Sequence, residues 1–201
     1  MPLADLLTGY DLKTKAGQRR ARQLVRQHKP HVLVLAFPCT KWCAMQNLNP
    51  DQQKVSDMQD EERVLLEVVE RLDKLQLSLG GHVLIENPVN SMALKEGPLM
   101  RLREKLYEFT GDQCPFGLRG PRGGLHRKPT RYLSDIKELE DALSVKCDGR
   151  HEHEPVLGSG ASEESGHYPW QMAAAIVKAA EKHFQKSEWT ADVRVQTATG
   201  P

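Results

Sequence analysis

Two short stretches carry side chains suited to covalent chemistry. In Val32-Leu33-Val34-Leu35-Ala36-Phe37-Pro38-Cys39-Thr40 an apolar run stops at a proline and hands a thiol to the loop beyond. In His82-Val83-Leu84-Ile85-Glu86-Asn87-Pro88 the same device delivers a carboxyl group. A thiol at the end of a buried strand is a candidate nucleophile, because ligands of open α/β sheets bind beyond the carboxyl ends of such strands. For a single cysteine the plainer role is that of a small, half-buried apolar residue in a loop. The case for chemistry rests on whether the fold brings the two side chains together.

The flanking patterns predict how it does so. Gly17 to His28 reads as a basic helix with Ala21, Leu24 and Val25 on its apolar side, ended by Pro30. A strand over His31 to Phe37 follows; its unalternating Val and Leu residues fit a parallel strand covered on both faces. Ser56 and Gln59 have capping-box spacing for a long helix striped by Val64, Leu65, Val68, Val69, Leu72, Leu75 and Leu79, which Gly80-Gly81 stops. A second strand, His82 to Ile85, runs into the Glu86-Asn87-Pro88 loop. Gly97-Pro98 then opens a helix with Leu99, Leu102, Leu106 and Phe109 on one face and Gly111 past its end. Helix, strand, helix, strand, helix with right-handed crossovers makes the two strands parallel neighbours. Cys39 and Glu86 then share one edge of an α/β sheet.

Downstream, Gln113 to Gly117 and Thr130 to Leu133 read as extended pieces on either side of a Gly/Arg-rich loop. A short helix near Ile136 to Leu143 leads to the segment Cys147-Asp148-Gly149-Arg150-His151-Glu152-His153 and an acidic Gly/Ser loop. A last helix opens at Pro169 with Met172, Ala173, Ile176, Val177, Ala180 and Phe184 inside, and Trp170 and Met172 read as packing residues. The domain is expected to span residues 1-186, with 187-201 a disordered tail.

With 201 residues, 39% of them hydrophobic and 27% charged, one core is expected rather than two. A formal net charge of +1 excludes a globally basic nucleic-acid binder. The cations are nevertheless clustered: Lys13, Lys15, Arg19, Arg20, Arg22, Arg26 and Lys29 form one run, and Arg119, Arg122, Arg127, Lys128 and Arg131 another. Either is suited to phosphate, although such runs are commonly just solvated faces. No apolar run is long enough to span a bilayer and no signal peptide is evident. The four cysteines, Cys39, Cys43, Cys114 and Cys147, are therefore expected as reduced thiols in an intracellular setting.

Read together, the motifs resemble a known family. Phe37-Pro38-Cys39-Thr40-Lys41-Trp42-Cys43-Ala44-Met45-Gln46 resembles the Pro-Cys loop of cytosine-5 DNA methyltransferases. Glu86-Asn87-Pro88-Val89-Asn90-Ser91 resembles their Glu-Asn motif, in the Glu-Asn-Pro form of phage and retroelement-borne members. Gln113-Cys114-Pro115-Phe116-Gly117 and Lys128-Pro129-Thr130-Arg131-Tyr132-Leu133 resemble those members too. The resemblance implies that Cys39 adds to carbon 6 of a flipped cytosine while Glu86, hydrogen-bonded to ring nitrogen 3, stabilises the activated base. It places Pro38, Asn87, Pro88, Arg127, Lys128 and Thr130 on the substrate side, with Arg131 as the arginine at the base. The spacing around Arg131 departs from the family's Gln-x-Arg-x-Arg pattern. DNA, and by the same chemistry RNA, is the implied partner.

The family's methyl donor, S-adenosylmethionine, sits in a sheet half that precedes the Pro-Cys strand, whereas here only about thirty residues precede it and no Phe-x-Gly-x-Gly stretch occurs. The expectation is thus the C-terminal half of a doubly wound, Rossmann-like sheet with flanking helices. Such a chain is a truncated copy of the kind a mobile-element polyprotein would carry, inactive or completed by another polypeptide. The strand over His31 to Phe37 would then be an exposed edge that invites pairing. Two other readings stand beside this one: a non-catalytic nucleic-acid-binding remnant, and a zinc-stabilised interaction module. For the latter, Cys147, His151 and His153 would need Cys39, Cys43 or Cys114, a spacing that matches no established zinc pattern. The sequence reading accordingly assigns no metal ligand and treats Cys147 to His153 as a polar loop.

Overall fold

A computed structural model describes residues 9–155 and 166–198, with side chains described as far as Lys186. Its cysteines are all free thiols. By contacts the chain divides into two compact units. The first comprises the described residues up to Glu108 together with Arg131–Asp135, and the second Phe109–Thr130 with the described residues from Ile136 on.

In the first unit α1 (Lys15–His28) begins two residues before the predicted Gly17, because the Thr14 hydroxyl accepts the Gly17 N–H at 3.0 Å. It buries Ala21 and Val25 and ends ahead of Pro30. After β1 (Val32–Ala36), residues Thr40–Trp42 and Ala44–Leu48 coil into two 3-10 turns, and the Trp42 ring is buried. α2 (Gln52–Ser78) starts earlier than the predicted capping box. The Asp51 carboxylate accepts the Lys54 N–H at 2.9 Å and leaves Ser56 and Gln59 inside the helix. A carboxylate at that position serves the free N–H groups and the helix dipole together. Gln59 instead donates to the Lys41 carbonyl at 3.1 Å, tying α2 to the turn after Cys39.

The stripe of α2 buries Leu65, Leu66, Val68, Val69 and Leu72, each contributing on the order of 1.5–3 kcal/mol. Three acids, Glu62, Glu70 and Asp73, share that buried side. Glu62 pairs with Lys13, and Glu70 accepts from Arg101 Nη2 at 2.7 Å and Lys74 Nζ at 2.8 Å. Arg101 above all holds the Glu70 carboxyl at about 2. This grip fastens α2 to α3 (Gly97–Arg103). Here the expectation needs correcting, for α3 has barely two turns. Tyr107 to Asp112, which includes Phe109 and Gly111, forms strand β3 rather than the end of a helix. Tyr, Phe and Thr at 107, 109 and 110 are strand-forming types, and the Leu spacing before them set the helical period too far along the chain.

The strands are hydrogen-bonded in the order β1-β2-β4-β3, a four-stranded mixed sheet that includes β2 (His82–Pro88) and β4 (Pro129–Ser134). The class is α/β, as expected, and β1 is an edge strand. β1 and β2 run parallel in the register Val32↔His82 through Ala36↔Glu86. At the start of β2, Ser134 Oγ donates to the Val83 carbonyl at 2.6 Å and Asp135 Oδ1 accepts the Val83 N–H at 2.9 Å. The core beneath these strands contains Leu35, Trp42, Leu66, Leu72, Val83, Ile85, Leu99 and Leu133.

In the second unit Cys114–Phe116 forms a 3-10 turn where an extended piece was predicted, with Pro115 inside the turn. α4 (Glu138–Leu143) packs against α5 (Trp170–Ala198), whose bounds run past the expected end of the domain at 186. Met172, Ile176, Ala179 and Ala180 are buried, but Trp170 is 81% exposed and Val177 56%, so neither packs inside as predicted. Glu138 on α4 accepts from His183 and Lys186 on α5, each at 2.9 Å. No helix among the described residues is long and apolar enough to cross a membrane.

Candidate functional site

Cys39 lies three residues beyond Ala36, the residue that pairs with Glu86 across the β1/β2 ladder. The nucleophile and acid candidates therefore come from the carboxyl ends of adjacent parallel strands. Their settings differ from the predicted pair of loops in one respect: Glu86, Asn87 and Pro88 belong to β2 itself. Glu86 is 5% exposed and Asn87 1%, whereas Cys39 is half-buried and Pro38 exposed. A carboxyl group on a strand has its direction set by the pleat, so Glu86 is more rigidly aimed than a loop residue would be.

The loop that carries Cys39 is held on three sides. Asn87 Nδ2 donates to the Phe37 carbonyl at 3.3 Å, which clasps the end of β1 to β2. The Cys39 carbonyl accepts the Trp42 N–H at 2.9 Å, and the turn is anchored by the buried Trp42 ring. Gln46 Nε2 donates to the Thr40 carbonyl at 3.1 Å. With Gln59 on Lys41, four backbone carbonyls from Phe37 to Lys41 are engaged around the thiol. Sequence reasoning missed Gln46 and Gln59 because long-range side-chain to backbone bonds leave no periodic trace.

The remaining predicted substrate residues are differently placed. Thr130 is fully buried; its hydroxyl accepts from Gln113 Nε2 at 2.9 Å and donates to the Lys128 carbonyl at 3.0 Å, a structural role. Arg131 is engaged by the Glu108 carboxylate, which Arg103 also grips at 2.6 Å. Partial burial alone would raise the Glu108 carboxyl; the two arginines outweigh it and hold it below the usual range. Arg127 is exposed and lies 3.5 Å from Asp112, and Arg122 pairs with Glu154 at 3.2 Å. Arg127, Lys128 and Thr130 belong to the second unit, Arg131 to the first.

The second unit holds a cluster that the sequence reading kept only as an alternative. The Sγ atoms of Cys114 and Cys147 and the ring nitrogens of His151 and His153 all lie within 4.8 Å of one another. Cys147 Sγ is 3.6 Å from His151 Nε2 and 3.4 Å from His153 Nε2. Cys114 comes from the turn after β3, where burial first, then the Cys147 thiol and the Asp112 charge, push its thiol up to about 12. The chain reaches Cys147 by lying close along β3: Asp112 donates its N–H to Val145 O at 2.8 Å and accepts the Cys147 N–H at 2.9 Å. Only glycine fits at position 111, since a Cβ there would be 1.9 Å from the Leu143 carbonyl oxygen. His153 is set by a bridge to Leu125, and Glu154 accepts the Gly124 N–H at 3.0 Å.

Among the described residues no strand precedes β1 in the chain and no glycine-rich turn follows a strand upstream of it. No protein-family model matches the chain, and comparison with curated proteins and with solved structures likewise yields no match.

Proposed function

We propose that the β1/β2 edge is a covalent pyrimidine-activating site of the cytosine-5 methyltransferase type, with Cys39 as nucleophile and Glu86 as the acid. The supporting observation is the register that sets Ala36 opposite Glu86, so that thiol and carboxyl leave neighbouring parallel strands together. The Cys39 thiol first loses its proton to solvent, and the thiolate forms a bond to ring carbon 6. The displaced π pair is delocalised toward carbon 5 and ring nitrogen 3, the atom assigned to the Glu86 carboxyl group, which takes back any proton shared with nitrogen 3 when the thiolate leaves. Carbon 5 becomes nucleophilic and takes up a proton from water. Expulsion of the thiolate with loss of a carbon 5 proton regenerates cytosine, so the cycle requires neither oxidant nor reductant.

Methyl transfer lies beyond this step. For that transfer we propose that a further sheet half joins the edge strand β1 and holds S-adenosylmethionine. The partner is a nucleic acid with an accessible cytosine, DNA in the first instance and RNA by the same chemistry.

The test is covalent capture by an oligonucleotide carrying pyrimidin-2-one, which accepts a thiol at carbon 6 without methyl transfer. An adduct stable to denaturant, mapping to Cys39 and lost in Cys39→Ser, supports the reading. A folded chain that forms no adduct, or forms it equally in Cys39→Ser, overturns it. Salt-dependent binding without an adduct would identify the site as a non-catalytic nucleic-acid-binding surface.

A further inference from the structure

We propose that Cys114, Cys147, His151 and His153 form a closed, four-coordinate zinc centre that is structural rather than catalytic. The inference is independent of the chemistry proposed for Cys39. Two thiolates and two imidazoles are a donor set that selects Zn²⁺ over oxygen-preferring Mg²⁺ and Ca²⁺, and four protein ligands leave no open position for substrate. The spacing fits as well. With Zn–S near 2.3 Å and Zn–N near 2.0–2.1 Å, a tetrahedron sets sulfur and nitrogen ligands about 3.6 Å apart. Cys147 Sγ lies at 3.6 Å and 3.4 Å from the Nε2 atoms of His151 and His153.

The surroundings of the cluster point the same way. Gly149, at φ +72°, turns its N–H onto Cys147 Sγ at 3.4 Å, a contact suited to a sulfur that carries negative charge. The Asp112 carboxylate accepts the Cys147 N–H and holds the thiol's backbone in place. His151 has Nδ1 on the side of Asp148, 3.7 Å from its Oδ1, which directs Nε2 into the cluster. The His151 and His153 rings pack edge to face, with centroids 4.6 Å apart, and both bring Nε2 to Cys147 Sγ. Such outer contacts orient first ligands in metal sites.

A metal here would join the turn after β3 to the segment Cys147–His153. That segment in turn carries the bridge from His153 to Leu125, and the adjoining Glu154 holds Arg122 and Gly124. The centre would thereby stiffen the Arg119 to Lys128 loop. Zinc binding releases the thiol protons to solvent and adds its binding free energy to folding.

The test is metal analysis and cobalt titration of the full chain. The purified chain is expected to contain one zinc per molecule. After removal of zinc by chelation, Co²⁺ is expected to bind one to one, with the intense visible bands of a tetrahedral ion and thiolate-to-cobalt charge transfer. Cys147→Ser and His153→Ala lose the zinc, whereas Cys39→Ser and Cys43→Ser retain it. Asp112→Asn keeps the ligands but weakens affinity by roughly tenfold or more. Absence of Co²⁺ uptake by the chelated wild-type chain, an octahedral spectrum without charge transfer, or loss of zinc in Cys39→Ser or Cys43→Ser would each overturn the assignment. The wild-type cobalt spectrum decides the matter even if a ligand variant fails to fold.

Discussion

Replacing Asp73 by Asn is expected to stabilise the protein above pH 6 and to leave it unchanged near pH 4. Asp73 sits on the buried side of α2 at 3% exposure, and its Oδ1 has no hydrogen-bond partner. Burial first, and the charge of Asp135 second, push its carboxyl from 3.8 to about 6. The rise from 3.8 to about 6, at about 1.36 kcal/mol per pH unit, corresponds to about 3 kcal/mol as an upper value. Because the folded pKa is raised, the folded state holds the proton more tightly than the unfolded chain. The associated stability is fully present below pH 3.8 and is lost as pH rises to about 6. Asn has the shape of the protonated acid and no charge to bury. Urea unfolding of both proteins from pH 4 to pH 8, with m-values compared, measures the difference directly. It is expected to grow from near zero to between about 1 and 3 kcal/mol by pH 7, then to level off. A difference independent of pH, or destabilisation by Asn at pH 7, would refute the argument. Glu70 and Glu138, both held at about 2, work in the opposite sense: their stabilisation is lost as pH falls from 4.5 toward 2.

Other substitutions probe the supports of the two sites. Asp51→Ala is expected to cost about 1 kcal/mol by removing the cap of α2, while Ser56→Ala changes stability by no more than about 0.5 kcal/mol, read by thermal unfolding. Asn87→Ala removes the clasp on the Phe37 carbonyl but also a buried amide oxygen without a partner, so its net cost is below about 1 kcal/mol. Its larger effect is expected on the rate of adduct formation at Cys39, measured by the pyrimidin-2-one capture. Gly111→Ala forces a Cβ to within 1.9 Å of the Leu143 carbonyl oxygen. Since backbone must give way, a cost of at least about 1–3 kcal/mol is expected, accompanied by loss of metal stoichiometry.

What was legible in the sequence followed from local pattern. Unalternating apolar runs mark β1 and β2, and a long helix between them with a glycine stop makes them parallel neighbours, the pairing seen with Ala36 opposite Glu86. The helix starts were less legible. Asp51 and Ser56 are both sound caps, and only the bond to the Lys54 N–H tells them apart. β3 was hidden because Leu99, Leu102 and Leu106 continue a helical period across Glu104 and Lys105, while the strand's stability comes from sheet pairing. The Cys/His cluster was half visible. Cys147, His151 and His153 stand in one short segment, but Cys114 lies 33 residues earlier. It is brought in by the close approach at Gly111 and by Asp112, contacts that no spacing rule encodes. The motif around Thr130 and Arg131 likewise says nothing of Gln113 and Glu108 as their partners.

Addition of Cys39 to cytosine is tested most directly by exchange of the carbon 5 hydrogen with solvent. Single-stranded DNA deuterated at that position is incubated with the chain in ordinary water and without a methyl donor, and the cytosines are analysed by mass spectrometry. Addition of the Cys39 thiolate to carbon 6 predicts loss of the deuterium, abolished in Cys39→Ser and strongly slowed in Glu86→Gln. Retention of the deuterium by a folded, DNA-bound chain, or exchange that persists in Cys39→Ser, would contradict the claim.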